Sequence, residues 1–86
     1  MNIDYDVDLA CTRASLREFG TLDEHKHNGS PAYPQGGWAC VVTCPDGIMF
    51  GEVDDNPLKV AQKVLAYMRS MKVPTIKERN DASQDS

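Results

Sequence analysis

Pro45-Asp46-Gly47 constrains this chain more than any other stretch, because it lies between two runs that both suit a pleated sheet. Proline presets φ, aspartate bonds its own backbone locally, and glycine accepts the left-handed position, so the tripeptide reads as a type I turn. Before it, residues 38–44 (WACVVTC) are rich in β-branched and aromatic side chains, and residues 48–53 (IMFGEV) return as a partner strand. A three-residue loop closed by a glycine bulge sets Thr43 near Ile48, Val41 near Phe50 and Ala39 near Glu52. Trp38, Cys40 and Val42 then share the other face with Met49, Gly51 and Val53. Both faces are substantially apolar, whereas a sheet wetted on one side alternates more cleanly. Something is therefore expected to cover each face.

A helix follows directly. Asn56 is a good N-cap, Pro57 fits the first helical position, and Asp54 and Asp55 place negative charge at the positive end of the dipole. Val60, Ala61, Val64, Leu65, Met68 and Met71 fall on one stripe at helical spacing. The helix is expected to stop near Lys72, because Pro74 disfavours helical geometry at Val73.

At 86 residues the chain reads as one small domain, 1–74, followed by a polar tail, 75–86, that frays or tethers. With 41% hydrophobic and 26% charged residues, wholesale disorder is not expected. The formal charge of −4 is mild. It hides a split: residues 1–56 carry ten acidic and three basic side chains, and residues 57–86 carry six basic and three acidic. No apolar run is long enough to span a bilayer, and Met1-Asn2-Ile3-Asp4 does not begin a secretory signal. Cys11, Cys40 and Cys44 form no paired framework. On one strand Cys40 and Cys44 stand roughly 13 Å apart, too far to bridge. A reducing, cytoplasmic setting fits these thiols.

Residues 3–9 (IDYDVDL) alternate apolar residues with aspartate, which suggests a strand with one acidic face and a third member for the sheet. A helix is the alternative, since Ile3, Val7, Ala10, Cys11 and Ala14 share one helical face and aspartate is depleted in strands. A short helix is expected between Thr12 and Phe19, where Ser15 to Glu18 has capping-box spacing and Gly20 can end it. Thr21 to Glu24 repeats that spacing, so the helix can start or resume there. Residues 25–37 have no periodicity and read as a long loop.

No constellation for catalysis is assembled. His25 and His27 with Cys40, Cys44 or Cys11 are zinc-type ligands, but Cys40-x3-Cys44 runs along a strand instead of closing a turn. A cysteine nucleophile needs an oriented histidine within reach, which nothing here supplies. Gly36-Gly37 and Asp46-Gly47 lack phosphate-loop spacing. No catalytic residue, metal or cofactor is expected. Two charged surfaces remain. Asp4, Asp6 and Asp8 on a strand project as a row roughly 6–7 Å apart, and with Asp23 and Glu24 they form an acidic surface that competes for a basic channel. Tyr33 in the long loop adds shape. Lys59, Lys63, Arg69 and Lys72 form a basic face that can meet phosphates with salt-dependent affinity, although the net acidity of the chain ranks nucleic acid second.

Two resemblances arise from these residues. The hairpin followed by a helix opening on Lys59-Val60-Ala61-Gln62-Lys63 is similar to the C-terminal half of double-stranded-RNA-binding domains. That family grips phosphates with lysines at the start of its last helix. The match covers about 34 residues, and here the lysine cluster is thinned to Lys59 and Lys63. The whole chain also resembles in style the small acidic proteins of phages and mobile elements, including anti-CRISPR proteins, which act by occupying a surface of a host complex. The shared features are size, the hairpin over 38–53, the helix over 56–71 and the Asp4, Asp6 and Asp8 row.

The expected fold is α+β: a two- or three-stranded antiparallel sheet packed by one amphipathic C-terminal helix, with a short N-terminal helix. The expected function is non-enzymatic binding to a host protein complex that handles nucleic acid, such as a CRISPR effector, inhibiting it through the acidic surface. The alternative is a small RNA- or DNA-binding module using the basic face. A homodimer closed through the spare sheet face is compatible with either.

Overall fold

The structure, a computed structural model, describes residues 3–27, 31, 34 and 36–84. It is an α+β fold of three helices and a three-stranded antiparallel sheet. In chain order these are α1 (Ile3–Arg17), β1 (Thr21–His27), β2 (Gly37–Thr43), β3 (Met49–Asp54), α2 (Pro57–Ser70) and α3 (Ile76–Gln84). The strands form a simple meander, with β2 in the centre.

The turn forms as the residues require. Gly47 adopts φ +90°, its amide donates to the Cys44 carbonyl (2.9 Å), and the Cys44 amide donates to the Ile48 carbonyl (2.8 Å). The Ile48 amide donates to Asp46 Oδ1 at 3.0 Å. Because Cys44 stays in the ladder opposite Ile48, the register is one residue away from the expected one: Thr43 pairs with Met49, Val42 with Phe50, Val41 with Gly51 and Cys40 with Glu52. A one-residue change moves every side chain to the other face. Trp38, Cys40 and Val42 therefore share a face with Phe50, Glu52 and Asp54, while Ala39, Val41 and Thr43 stand with Met49, Gly51 and Val53.

The helix after the hairpin is built as its sequence predicts. Asn56 Oδ1 accepts from the Lys59 amide at 2.8 Å, and Pro57 occupies the first turn. Val60, Ala61, Val64, Leu65 and Met68 are buried, but Met71 lies past the last turn and is 60% exposed. Lys72 takes the left-handed conformation (φ +56°), its amide donates to the Arg69 carbonyl, and the Val73 amide donates to the Met68 carbonyl, both at 3.1 Å. Those bonds satisfy the orphan carbonyls at the helix end in the Schellman manner.

Residues 3–9 are not a strand. They join 10–17 in one helix of 15 residues. Three aspartates in seven residues oppose a strand, whereas Asp4 and Asp6 in the first helical turn complement the dipole. Tyr5, Leu9, Thr12 and Leu16 recur at helical spacing. Leu9, Thr12 and Leu16 are buried, and the Thr12 hydroxyl is satisfied by the Asp8 carbonyl at 2.7 Å. The first strand is supplied instead by Thr21–His27, where a resuming helix and the start of a loop are expected. It pairs with β2 through seven residues. Gly20 makes the crossover possible, since a Cβ there would stand 2.1 Å from the Thr43 carbonyl oxygen.

Helices α1 and α2 lie side by side on one face of the sheet, α1 against β1 and α2 against β2 and β3. Between them sits the core of Leu16, Phe19, Cys40, Val42, Cys44, Val60, Ala61, Val64, Leu65 and Met68, with Leu22, Trp38, Phe50 and Val73 packed against it. α1 thus shares the face that α2 covers, and among the described residues no helix packs on the other face of the sheet. Where a frayed tail is expected, Thr75 and Glu78 cap α3 reciprocally: each side chain accepts from the other's amide at 3.1 Å. The Ile76 amide donates to the Glu18 carbonyl at 2.7 Å, and Arg79 pairs with Asp46 at 3.2 Å, tying α3 to the end of α1 and to the hairpin turn. No helix among the described residues is long and apolar enough to cross a membrane.

Candidate functional site

α1 carries two apolar stripes, and only one of them is used. At 3.6 residues per turn, Tyr5, Leu9, Thr12 and Leu16 point to the core. Ile3, Val7, Ala10 and Ala14 point the opposite way, with Cys11 beside them. Ile3 is 67% exposed and Val7 53%, and Ala10, Cys11 and Ala14 are exposed as well. The larger Leu9 and Leu16 side chains take the buried side because they bring more apolar area to the core than alanine does.

This geometry redistributes the acidic residues. Asp4 and Asp8 are one turn apart along one rim of the exposed stripe, and Asp6 stands on the other rim. All three are exposed. The evenly spaced row expected of a strand is therefore absent, replaced by an apolar stripe with carboxylates on both sides. Asp23 and Glu24 do not extend it. Consecutive residues of β1 face opposite sides of the sheet, so Asp23 is exposed while Glu24 turns toward the helices and pairs with Arg13 Nε at 2.8 Å. Its side chain is only 15% exposed. Glu24 is a clamp between β1 and α1. Tyr33 lies outside the described residues.

The basic residues of α2 are similarly divided. Lys63 Nζ pairs with Asp54 at 2.8 Å and Lys59 Nζ with Asp55 at 3.4 Å. The Lys63 ammonium, with the Asp55 amide behind it, holds the Asp54 carboxyl at about 2. The hollow beside these lysines, about 410 Å³, includes Asp54 in its wall. Arg69 points roughly a third of a turn away from Lys63, and Lys72 belongs to the helix cap. The four residues expected to grip phosphates do not form one basic surface.

The zinc-type residues are separated as well. His25 pairs with Ala39 and His27 with Gly37, on the face away from the helices, whereas Cys40 pairs with Glu24 on the helix side. Cys40 and Cys44 are buried free thiols and Cys11 is an exposed one. Burial, with the Glu24 charge adding to it, pushes the Cys40 thiol up to about 11, and burial also raises Cys44. Neither is poised as a thiolate nucleophile. Among the described residues no group of three His, Cys, Asp or Glu side chains is placed to hold a metal.

A second exposed apolar surface lies at the far edge of the sheet, where Ile48 and the β3 residues Met49, Phe50 and Gly51 meet Tyr67 of α2 and its C-cap Met71 in a groove of about 470 Å³. Sequence reasoning places Met71 in the core stripe, and the one-residue register difference hides the exposure of Met49. The exposed stripe of α1, in contrast, is legible in the sequence as the 3, 7, 10, 11 and 14 face, but reads there as a core face. Comparison with protein families, with curated proteins and with solved structures found no match for this chain.

Proposed function

We propose that this protein is a non-enzymatic binding protein that docks through the outward face of α1 onto a partner whose apolar cleft is rimmed by lysine or arginine. The observation that carries this reading is the exposure of Ile3 and Val7 on a helix whose opposite face already fills the core. Apolar surface left on a folded domain and bordered by charge marks interaction sites. Asp4 and Asp8 on one rim and Asp6 on the other supply an electrostatic complement that speeds encounter and disfavours acidic partners. Basic surfaces of this kind belong to complexes that handle nucleic acid, so the protein would act there by occupation, as an inhibitor. The resemblance in style to anti-CRISPR proteins makes a CRISPR effector the first complex to assay, in a reducing cytoplasm compatible with three free thiols. Direct nucleic-acid binding ranks second, because Lys59 and Lys63 are engaged by Asp55 and Asp54.

The test is a binding assay against isolated effector complexes with the native chain, the Asp4→Lys/Asp8→Lys double variant and Val7→Ser. Expected are binding by the native chain that nucleic acid competes away, its loss in both variants, a melting temperature close to native for Val7→Ser, and one a few degrees lower for the double variant, in which a lysine replaces Asp4 at the positive end of the helix dipole. A partner held equally well by all three proteins removes α1 as the docking element. A steep salt dependence of RNA binding by the native chain, with no effect of the α1 variants, would favour the basic face.

A further inference from the structure

The two edges of the sheet are protected very differently. β1 presents Asp23, Glu24, His25 and Lys26 in succession, the kind of charged edge that resists pairing with another strand. β3 has no lysine or proline, and its first three residues, Met49, Phe50 and Gly51, are uncharged. No strand pairs with its outer side among the described residues. The Cys44-to-Ile48 hydrogen bond fixes which backbone groups face inward. By the alternation of an antiparallel ladder, the amides and carbonyls of Ile48 and Phe50 point to β2, and those of Met49 and Gly51 point outward. The groove beside this edge continues the apolar surface onto α2. Ile48 is 55% exposed, Met49 63%, Tyr67 47% and Met71 60%, while the Phe50 ring packs on Tyr67 with centroids 5.6 Å apart.

We propose that the β3 edge is a dimerisation surface whose occupant is a second copy of this chain. The second copy pairs antiparallel with the first about a two-fold axis through Phe50, making one six-stranded sheet. The patch is self-complementary in that register. Met49 of each copy lies opposite Gly51 of the other, so the four outward backbone groups on each copy are used. Phe50 meets its symmetry mate, with Tyr67 and Met71 closing over the pair, and no charged side chain lies opposite another of the same sign. Glu52 of each copy then lies opposite Ile48 of the other, one carboxylate per copy at the end of the groove, whereas an axis one residue further along, through Gly51, would bring two, Glu52 against Phe50 and Asp54 against Ile48.

The exposed parts of Ile48, Met49, Tyr67 and Met71 alone offer on the order of 500 Å² per copy, which for the pair reaches the floor for a specific interface. This surface is distinct from the α1 stripe, so the dimer leaves both α1 faces free to dock, doubling the valence of the binding protein.

Sedimentation equilibrium of the native chain from about 10 μM to about 1 mM, together with amide exchange at Met49 and Gly51, tests the proposal. Expected are a concentration-dependent species of twice the chain mass and slowing of those two amides as it forms. Met49→Lys on the strand and Met71→Lys on the helix should each weaken association at least tenfold while leaving the melting temperature near native, since both side chains are more than half exposed. A chain that stays monomeric throughout overturns the proposal and leaves the edge for an extended segment of another protein. A dimer that survives both substitutions, or that is lost in Val41→Lys on the helix-free sheet face or in Val7→Ser on α1, also overturns it.

Discussion

Asp54→Asn isolates the interaction that takes Lys63 out of reach of any phosphate. Asp54 Oδ2 lies 2.8 Å from Lys63 Nζ, and Oδ1 accepts from the Asp55 amide at 2.7 Å. Together, with Lys63 the larger influence, they lower the carboxyl from 3.8 to about 2. A folded-state value below the unfolded one means that the charged form stabilises the fold. The stabilisation is complete above the ordinary aspartate range, near pH 4, and is lost as pH falls through about 2. The gap sets a ceiling of about 2.5 kcal/mol. Lys63 is half exposed, so solvent screening reduces the expected effect to about 1 kcal/mol. Asparagine can keep the oxygen that accepts from the Asp55 amide, but it removes the charge and sets an NH2 donor where Oδ2 accepted from Lys63. Urea unfolding of the two proteins at pH 7 should differ by about 1 kcal/mol, and the difference should shrink steadily below pH 4 as the native aspartate protonates. A difference that stays constant down to pH 2, or none at pH 7, would refute the reasoning and return Lys63 to the pool of free cations.

Other outcomes follow from the same structure. Leu16→Ala, at a fully buried position in the centre of the core, should cost about 3 kcal/mol in thermal or urea unfolding, while Val7→Ala on the exposed stripe of the same helix should cost under about 0.5 kcal/mol. A larger cost at Val7 than at Leu16 would mean that α1 is seated the other way round. Lys72→Gly should raise stability by about 0.5–1 kcal/mol, because Lys72 holds a left-handed conformation that glycine adopts without steric cost. A loss of stability there would show that the lysine side chain supports the cap. In thiol labelling of the folded protein near pH 8, Cys11 should react promptly, while Cys40, raised to about 11 by burial, and Cys44 react only after unfolding in urea. Labelling of all three at one rate would contradict the buried placement of both strand thiols.

What could be read in advance was written in a few neighbouring residues. The turn at 45–47 needs only proline, aspartate and a glycine free to take φ +90°, and α2 needs only Asn56, Pro57 and a stripe at helical spacing. The α+β class follows from those two elements. The candidate site was half legible: Asp4, Asp6 and Asp8 are exposed, but a helix sets them on two rims where a strand would set them in a row. Glu24 looked like one more surface acid, and nothing in its neighbourhood announces Arg13, eleven residues earlier, as its partner. The capping box at Thr75 and Glu78 was there to be seen, but the polar composition around it reads as a tail.

The sequence by itself determined where the chain turns, where its best helix begins, and that a sheet and a helix must share one core, because those outcomes depend on local torsional preference and on capping groups within three or four residues. Only the tertiary structure decided the rest. An alternation of apolar residues with aspartate is compatible with strand and helix alike, and α1 became a helix because Leu9 and Leu16 then reach the core across from α2. Thr21–His27 became a strand because β2 offered it a full ladder of partners, which outweighs a weak intrinsic preference. The face each hairpin residue occupies turned on whether Cys44 stayed in the ladder, a matter of one residue that inverts inside and outside.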